Sequence, residues 1–165
     1  MTSDNIPIYK EDDFKKMKEA GRLAAYVLDQ LYNLIQTGIS TLEINNFCHD
    51  LIIKNKAIPA PLNYKGFPKS VCTSVNHVVC HGIPNEKKVL NNGDIINVDI
   101  TVILDGWYGD SSRMYVAGKT NKKNLDLLKT TFDCLHIGIK EAKPGKHLGD
   151  IGYKIQEYAE SRKYS

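Results

Sequence analysis

The sequence predicts an α+β fold in which helices cover an antiparallel sheet rich in hairpins. Four segments place apolar residues at intervals of three and four, the spacing of amphipathic helices. Between the second and the third of these segments, residues 95–104 alternate apolar and polar side chains, as a half-buried strand does. Asp105-Gly106 follows at once and is typical of a type I′ turn. The predicted order is therefore helix, helix, hairpin, helix, helix.

The first two helices have clear boundaries. The first is predicted over residues 12–36 and stops at Gly38, because glycine is favoured just beyond a helix C-terminus. The sequence Ser40-Thr41-Leu42-Glu43 is a capping box and opens the second helix. That helix ends before Pro59, and a loop region with short strands follows.

Two further helices are predicted after the hairpin. One begins at Asn121 and ends at Pro144-Gly145, and the other begins near His147 and continues almost to the last residue. The junctions at Gly38 and Gly145 each place an acidic residue five positions on and an isoleucine six positions on. This is a weak sign of internal duplication, and a true duplication would require a second hairpin that these 165 residues do not contain.

Two carboxylates face each other across the predicted hairpin. If Asp105 and Gly106 form the loop, Thr101 pairs with Asp110, so Asp110 lies on the same face as Asp99 and diagonal to it. Diagonal Cα atoms are about 7–8 Å apart, and both side chains can lean toward a common point where one or two cations would fit. Without a cation, the two charges repel and one carboxyl should have a raised pKa.

The pairing of the carboxylates is also compatible with a simpler interpretation. Both side chains would then decorate a solvated strand face, and a β-bulge would shift the register and separate them. The hairpin pattern alone leaves the metal site and the solvated face open.

Composition indicates an ordinary soluble domain. The 165 residues suit one domain, and 22 basic against 19 acidic side chains leave a net charge of +3 with no basic run for nucleic acid or a membrane surface. No segment has the ~20 apolar residues of a membrane span or the pattern of a signal peptide, so we expect a cytoplasmic protein. The four cysteines lack Cys-x-x-Cys spacing and are predicted to be free thiols.

A series of motifs carries a family resemblance. Residues 64–84 read YKGFPKSVCTSVNHVVCHGIP, and Asn-Val-Asp-Ile-Thr at 97–101 and Gly-Asp-Ser-Ser at 109–112 follow. The series resembles the type I methionine aminopeptidases over essentially the whole chain. The resemblance implies the pita-bread fold, in which two pseudo-symmetric halves surround a dimetal centre. Residues 1–165 would be a single, incomplete metallopeptidase catalytic domain, with the first half and the opening helices of the second.

The resemblance assigns roles at the metal centre. Asp99 and Asp110 match the two aspartates of the family hairpin, of which one chelates a metal and the other bridges two divalent ions. Such oxygen-rich ligation suits Mn, Fe or Co as well as Zn. Thr101 would be a hydroxyl supporting these ligands, and Asn76 and Val78 match a loop that holds a monovalent cation in some members.

The resemblance also implies a substrate site. His81 matches the histidine that hydrogen-bonds the substrate amide and the tetrahedral intermediate, although a loop histidine bonded to backbone is the alternative. Tyr64, Phe67 and Cys72 match the walls of the methionine side-chain pocket, with Phe67 where tyrosine is usual; plain core packing is the alternative for these three.

The implied activity is removal of the N-terminal methionine from nascent proteins by hydrolysis of the first peptide bond, without nucleic acid or membrane partners. The family takes a histidine and two glutamates from its second half, and Glu157 and Glu160 match none of those motifs. We therefore expect a truncated, inactive chain of marginal stability. Complete members are usually monomeric, whereas exposed edge strands should make this chain self-associate.

Two alternatives remain within the same fold. One is a noncatalytic pita-bread scaffold or binding protein, against which the intact Asp99, Asp110 and His81 argue. The other is a proline-type aminopeptidase. Those enzymes typically carry a long additional N-terminal domain, whereas the helices here begin near Asp12.

Overall fold

A central antiparallel hairpin organises the described part of the chain, and helices precede and follow it. The computed structural model describes residues 7–165. Two units can be distinguished within it, divided between Lys119 and Thr120. In chain order the elements are α1 (Glu11–Gln30), α2 (Thr41–Lys54), β1 (Ile58–Pro59), a 3₁₀ turn (Tyr64–Gly66), β2 (Cys72–Val75), β3 (Ile95–Leu104), β4 (Trp107–Val116), α3 (Lys122–Glu141) and α4 (Leu148–Ser161).

Strand β3 lies at the centre of a four-stranded sheet in the first unit. It pairs antiparallel with β4 along its whole length. Along its other edge it pairs with β1 at one end and with β2 at the other, both antiparallel. The predicted α+β class, the hairpin and its register are confirmed, since Thr101 pairs with Asp110 and Leu104 with Trp107.

One face of β3 forms the floor of the hydrophobic core. The side chains of Ile96, Val98, Ile100 and Val102 are completely buried, as the alternation of the sequence predicts. Apolar residues of α1 and α2 belong to the same core cluster. Fully burying one aliphatic side chain of this size contributes about 1.5–3 kcal/mol. The opposite face of β3, with Asp99 and Thr101, is therefore the one left for a site.

The capping box of α2 is confirmed. The Ser40 hydroxyl accepts a hydrogen bond from the Glu43 backbone N–H at 3.2 Å. The Ser40 backbone N–H donates to the Glu43 carboxylate at 2.8 Å. The pKa of Glu43 lies below its usual value because its carboxylate accepts hydrogen bonds from Ser40. The bond from the Ser40 side chain has the larger effect, and the bond from the Ser40 backbone adds to it. The reciprocal pair satisfies two donors that a helix N-terminus would otherwise leave free.

The predicted end of the first helix is wrong. Helix α1 ends at Gln30, not at residue 36, and residues 31–34 form turns. The Leu31 N–H bonds to the carbonyl of Leu28, three residues back, which tightens the last turn. Leu31 and Ile35 remain buried in the core beyond the helix. The apolar spacing therefore predicted correctly which residues are buried, but it did not predict where the helix ends.

Helices α3 and α4 form the second unit. The side chains of Ile151 and Ile155 on α4 reach Gly138 on α3, and the Tyr158 hydroxyl donates to Asp133 at 2.9 Å. Both helices begin and end within a few residues of the predicted positions. Among residues 7–165, no helix combines the length and apolar character required to cross a bilayer.

Helix α1 approaches strand β4 at a glycine. Gly109 has no side chain, and a Cβ atom built on it would overlap the backbone carbonyl of Ala20 and the nitrogen of Gly21. Glycine inside a strand commonly marks such a close approach of another backbone. Gly109 therefore sets how closely α1 packs on the hairpin, directly beside Asp110.

We expect the substitution Gly109→Ala to destabilise the chain by about 1–3 kcal/mol, because helix α1 must move away from β4. Urea unfolding followed by circular dichroism measures the change. Gly21→Ala is the matched control, since a Cβ at Gly21 meets nothing within 4 Å. That variant should be neutral or up to ~1 kcal/mol more stable, because alanine favours a helix. Equal unfolding midpoints for the two variants would contradict the proposed close approach.

Candidate functional site

A cavity of about 770 Å³ lies in the first unit, on the face of β3 that is turned away from the core. Its walls come from β2, β3 and β4, the turn around Tyr64 and the loop that carries His81. Seven of the nine predicted site residues line this single cavity: Tyr64, Phe67, Cys72, His81, Asp99, Thr101 and Asp110.

The hairpin places the two carboxylates on the cavity floor. Asp110 stands opposite Thr101, so it is diagonal to Asp99 as the turn sequence predicts. On the other edge of β3, Asp99 faces Cys72 of β2. Asp99 is half-buried and Asp110 is exposed. In the described part of the chain, neither carboxylate forms an ion pair with a lysine or arginine.

Burial is the main reason why the pKa of Asp99 lies above its ordinary value. The negative charge of Asp110 raises the pKa further, and His81 acts in the opposite direction. The predicted raised pKa of one carboxyl is therefore confirmed, although burial contributes more than the repulsion between the two aspartates. A cation at this point would relieve both effects, because it favours the charged form of each carboxyl.

Cys72 remains a neutral thiol at the wall of the cavity. Burial is the largest cause that raises its pKa to about 11, and the charges of Asp99, Cys80 and Asp110 add to it. At neutral pH the thiol is thus protonated and behaves as a small apolar group. All four cysteines of the chain are free.

The loop that carries His81 is fixed to strand β2. The Thr73 N–H donates to the Gly82 carbonyl at 2.8 Å, and the Gly82 N–H donates to the Ser74 hydroxyl at 3.2 Å. A side chain at Gly82 would overlap the Thr73 carbonyl. His81 itself has a positive φ of 55°. This anchoring holds the imidazole close enough to Asp99 to affect its pKa.

The aromatic wall comes from a tight turn. The Asn63 N–H donates to the Phe67 carbonyl at 2.8 Å, and the Phe67 N–H donates to the Tyr64 carbonyl at 2.9 Å. These bonds fold residues 63–67 back on themselves, so that both aromatic side chains line the cavity. Lys65, between them, lines it as well.

Several residues that contribute to the site were not predicted from the sequence. Tyr108 lines the cavity, and its position two residues before Asp110 on the same strand face could have revealed it. Gly82 was missed too, although a glycine directly after a site histidine is a signal for close backbone approach. No pattern in the sequence shows that Lys65 turns toward the cavity.

Asn76 and Val78 are not among the residues that line the cavity. The Asn76 amide donates to Asp94 at 2.8 Å and accepts from the Ile95 N–H at 3.1 Å, which fixes the start of β3. Burial alone would raise the pKa of Asp94, but hydrogen bonds from Asn76 and Asn91 lower it below its usual value. The monovalent-cation loop stays a prediction.

The donor chemistry of the cavity suits a hard or borderline divalent cation. Asp99 and Asp110 supply carboxylate oxygens that form no ion pair with a lysine or arginine within residues 7–165, and such oxygens are preferred ligands of Mn²⁺ and similar ions. Within residues 7–165, no three side chains of His, Cys, Asp or Glu converge on one point. The two aspartates are therefore fewer ligands than such an ion usually takes from a protein.

Comparisons with known proteins agree with the motifs. The profile of metallopeptidase family M24 matches residues 15–165. A methionine aminopeptidase of Rickettsia prowazekii is 56% identical over 160 residues, which cover 97% of this chain and 61% of that protein. Methionine aminopeptidase A of Synechocystis is 48% identical and covers 98% of this chain and 64% of that protein. The chain thus spans less than two thirds of the length of these curated relatives.

Solved structures show the same architecture. The crystal structure of methionine aminopeptidase from Rickettsia prowazekii superposes with a TM-score of 0.95 and covers 97% of this chain and 64% of that one. A Xaa-Pro dipeptidase from Bacillus anthracis, 19% identical, superposes with a TM-score of 0.79 over 94% of this chain and 42% of its own. The second likeness shows the fold alone, which is the pita-bread fold predicted from the resemblance.

We expect Asp99→Asn to stabilise the metal-free chain at pH 7. Folding raises the pKa of Asp99 above its unfolded value near 3.8, so the folded chain holds the proton more tightly and ionisation costs stability. This loss of stability is complete when the pH lies above the raised pKa of Asp99 in the folded chain. It disappears when the pH lies below the pKa of Asp99 in the unfolded chain. The stability gained by the asparagine variant should therefore shrink as the pH falls from 7 toward 4.

Thermal and urea unfolding with EDTA, at several pH values, measure this difference. Asp126→Asn is the matched control, because Asp126 is exposed on α3 and has no ion-pair partner among the described residues. It should show no gain that depends on pH. A variant Asp99→Asn that is less stable than the parent at pH 7 would contradict the repulsive carboxylate pair.

Proposed function

The chain belongs to metallopeptidase family M24, and from this premise we propose that its residues form part of the catalytic domain of a methionine aminopeptidase. The reaction is hydrolysis of the first peptide bond of polypeptides that begin with methionine. One observation carries the proposal. Two carboxylates that form no ion pair within the described residues, a histidine and an apolar wall with a neutral thiol all line one cavity.

Asp99 and Asp110 are the proposed ligands of two divalent ions, with Mn, Fe, Co and Zn as the candidates. When bound, such ions polarise the carbonyl of the scissile bond and lower the pKa of a water molecule. The protein positions the carboxylates by the register of β3 and β4, so no loop movement is needed to bring them together. Thr101, opposite Asp110, would orient these ligands through its hydroxyl.

Tyr64, Phe67 and Cys72 are proposed to hold the methionine side chain. A thioether packs favourably against aromatic edges, and a protonated thiol adds a soft apolar surface. Because the pKa of Cys72 is raised to about 11, the thiol does not compete with the aspartates for a cation at neutral pH. The turn at residues 63–67 fixes the aromatic rings through its own backbone hydrogen bonds.

His81 is proposed to donate a hydrogen bond to the substrate amide and to the oxyanion that develops during hydrolysis. Such a donor is effective when it is held in place before the reaction. The hydrogen bonds of Gly82 to Thr73 and Ser74 provide that restraint. Asn76 and Val78 are proposed to offer their carbonyl oxygens to a monovalent cation, which would act on the fold near β3 rather than on the reaction.

The proposed partners and setting follow from this activity. Nascent polypeptides with an N-terminal methionine are the substrates, no nucleic acid or membrane takes part, and the cytoplasm is the proposed compartment. A noncatalytic scaffold would not require two unpaired carboxylates on one face, because their repulsion costs stability. Relatives at 48–56% identity are named methionine aminopeptidases, whereas the proline-specific likeness extends only to the fold.

A chimera tests the proposal directly. Residues 1–165 replace the matching 61% of the Rickettsia prowazekii relative, and methionine release from Met-Ala-Ser is measured with Mn²⁺ or Co²⁺. We expect the chimera to release methionine but to leave Ala-Pro-Ser intact. Asp110→Asn should lower kcat/KM by a hundredfold or more, since changes merely behind metal ligands already cost about 10–100-fold.

Asp105→Asn is the matched control in the same hairpin. Asp105 lies in the turn with a positive φ of 49°, which asparagine also tolerates, and its side chain does not line the cavity. That variant should keep the activity of the chimera. Release of alanine from Ala-Pro-Ser would favour the proline-type alternative. A folded chimera without any methionine release would contradict the proposed function.

A further inference from the structure

A positive charge borders the cavity that holds the two aspartates. Lys65 lines the cavity together with Tyr64 and Phe67, although lysine plays no part in the proposed metal or methionine sites. The cavity therefore carries two negative charges at its floor, from Asp99 and Asp110, and one positive charge from the turn. Such a separation of charges fits a ligand that is itself positive at one end and negative further along.

The backbone holds Lys65 in this position. Its φ and ψ are 47° and 34°, in the left-handed region that side chains other than glycine rarely adopt. Asn63 and Gly66 on either side also have positive φ values. Unusual backbone conformations of this kind cluster at binding sites, where the surrounding structure maintains them. Here the hydrogen bonds between Asn63, Tyr64 and Phe67 close the turn, so its side chains stay at the cavity wall.

The ammonium group of Lys65 has an aromatic contact but no ionic partner among the described residues. Within residues 7–165 it makes no ion pair with an aspartate or glutamate. It lies over the ring of Tyr64, 5.5 Å from the centroid. The charges that act on Asp99 are those of Asp110 and His81. A cation that binds the aspartates would therefore not have to displace Lys65, and the ammonium group of Lys65 can form an ion pair with a ligand.

We propose that Lys65 binds a carboxylate of the peptide on the C-terminal side of the bond that is cleaved. This inference rests on the proposed function, in which the first peptide bond lies at the ions that Asp99 and Asp110 would hold. The peptide chain must then leave the cavity past its walls, where the lysine can reach a carboxylate. An acidic side chain or the free C-terminus of a short peptide would supply that group.

The expected preference is modest. Lys65 is exposed, and pairs between exposed charges are weak and screened by salt. At low ionic strength we expect a peptide with the carboxylate to bind about three- to fivefold more tightly than its neutral counterpart. The preference should disappear at high salt, whereas binding of the methionine end should change less.

Peptide titrations of the ¹⁵N-labelled chain test the inference without requiring activity. The chain is kept metal-free with EDTA, and dissociation constants come from shifts of the amide signals of cavity residues. One pair of peptides is Met-Ala-Glu-amide and Met-Ala-Gln-amide, which tests an acidic side chain. The other pair is Met-Ala-Ser with a free or an amidated C-terminus. The pair that shows the preference identifies the source of the carboxylate.

Variants of Lys65 assign the effect to this residue. Lys65→Gln should abolish the preference, and Lys65→Glu should reverse it so that the neutral peptide binds more tightly. Lys56→Gln is the matched control, because Lys56 is also exposed and has a positive φ of 60°, but it does not line the cavity. That variant should keep the preference of the unmodified chain.

The outcomes separate this inference from the proposed function. If all four peptides shift the cavity signals with equal affinity, the role of Lys65 is wrong while the peptide site stands. An equal loss of preference in the Lys56 and Lys65 variants would also overturn it, since a general charge effect would then be responsible. If no peptide shifts the cavity signals, the inference is overturned, whereas methionine release by the chimera decides the proposed function separately.

Discussion

The register of β3 and β4 depends on a two-residue turn in which both residues have positive φ angles, 49° at Asp105 and 81° at Gly106. These angles suit the right-handed twist of a hairpin and join the strands without an additional residue. A slip of one residue would turn Asp110 toward the core and bring apolar side chains to the surface. The buried face of β3 therefore stabilises the same register that brings the two aspartates together, so core packing and site geometry are a single constraint.

Packing around the hairpin offsets the unfavourable features of the site. The repulsion between Asp99 and Asp110 and the burial of Asp99 both act against folding. The other face of the sheet provides the compensating burial of Ile96, Val98 and their neighbours. Two glycines permit close backbone contacts around the sheet: Gly109 of β4 admits helix α1, and Gly82 lets the loop of His81 approach Thr73 of β2. The two aspartates thus lie on paired strands, and hydrogen bonds fix the loop of His81 to β2, which is the fixed placement that the proposed reaction requires.

Local rules predicted most of the fold. The order of helices and hairpin, the α2 capping box and the pairing of Thr101 with Asp110 follow from spacing and turn chemistry. The end of α1 could not be predicted from apolar spacing, because Leu31 and Ile35 lie beyond the helix and are still buried. Seven predicted site residues share one cavity, while Lys65 and Tyr108 were missed. The placement of Lys65 depends on a turn with left-handed residues, which apolar periodicity does not encode. Tyr108 could have been identified, because it shares a strand face with Asp110.

The central proposal is that Asp99 and Asp110 together hold the divalent ions, and paramagnetic NMR with Mn²⁺ tests it most directly. The ion is added to the ¹⁵N-labelled chain, and line broadening is measured at each amide. We expect weak, saturable binding that broadens the signals of His81, Asp99, Thr101 and Asp110. Either Asp99→Asn or Asp110→Asn should abolish this binding, whereas Asp126→Asn should leave it unchanged. Broadening that survives in both aspartate variants, or that is centred elsewhere on the chain, would contradict the account.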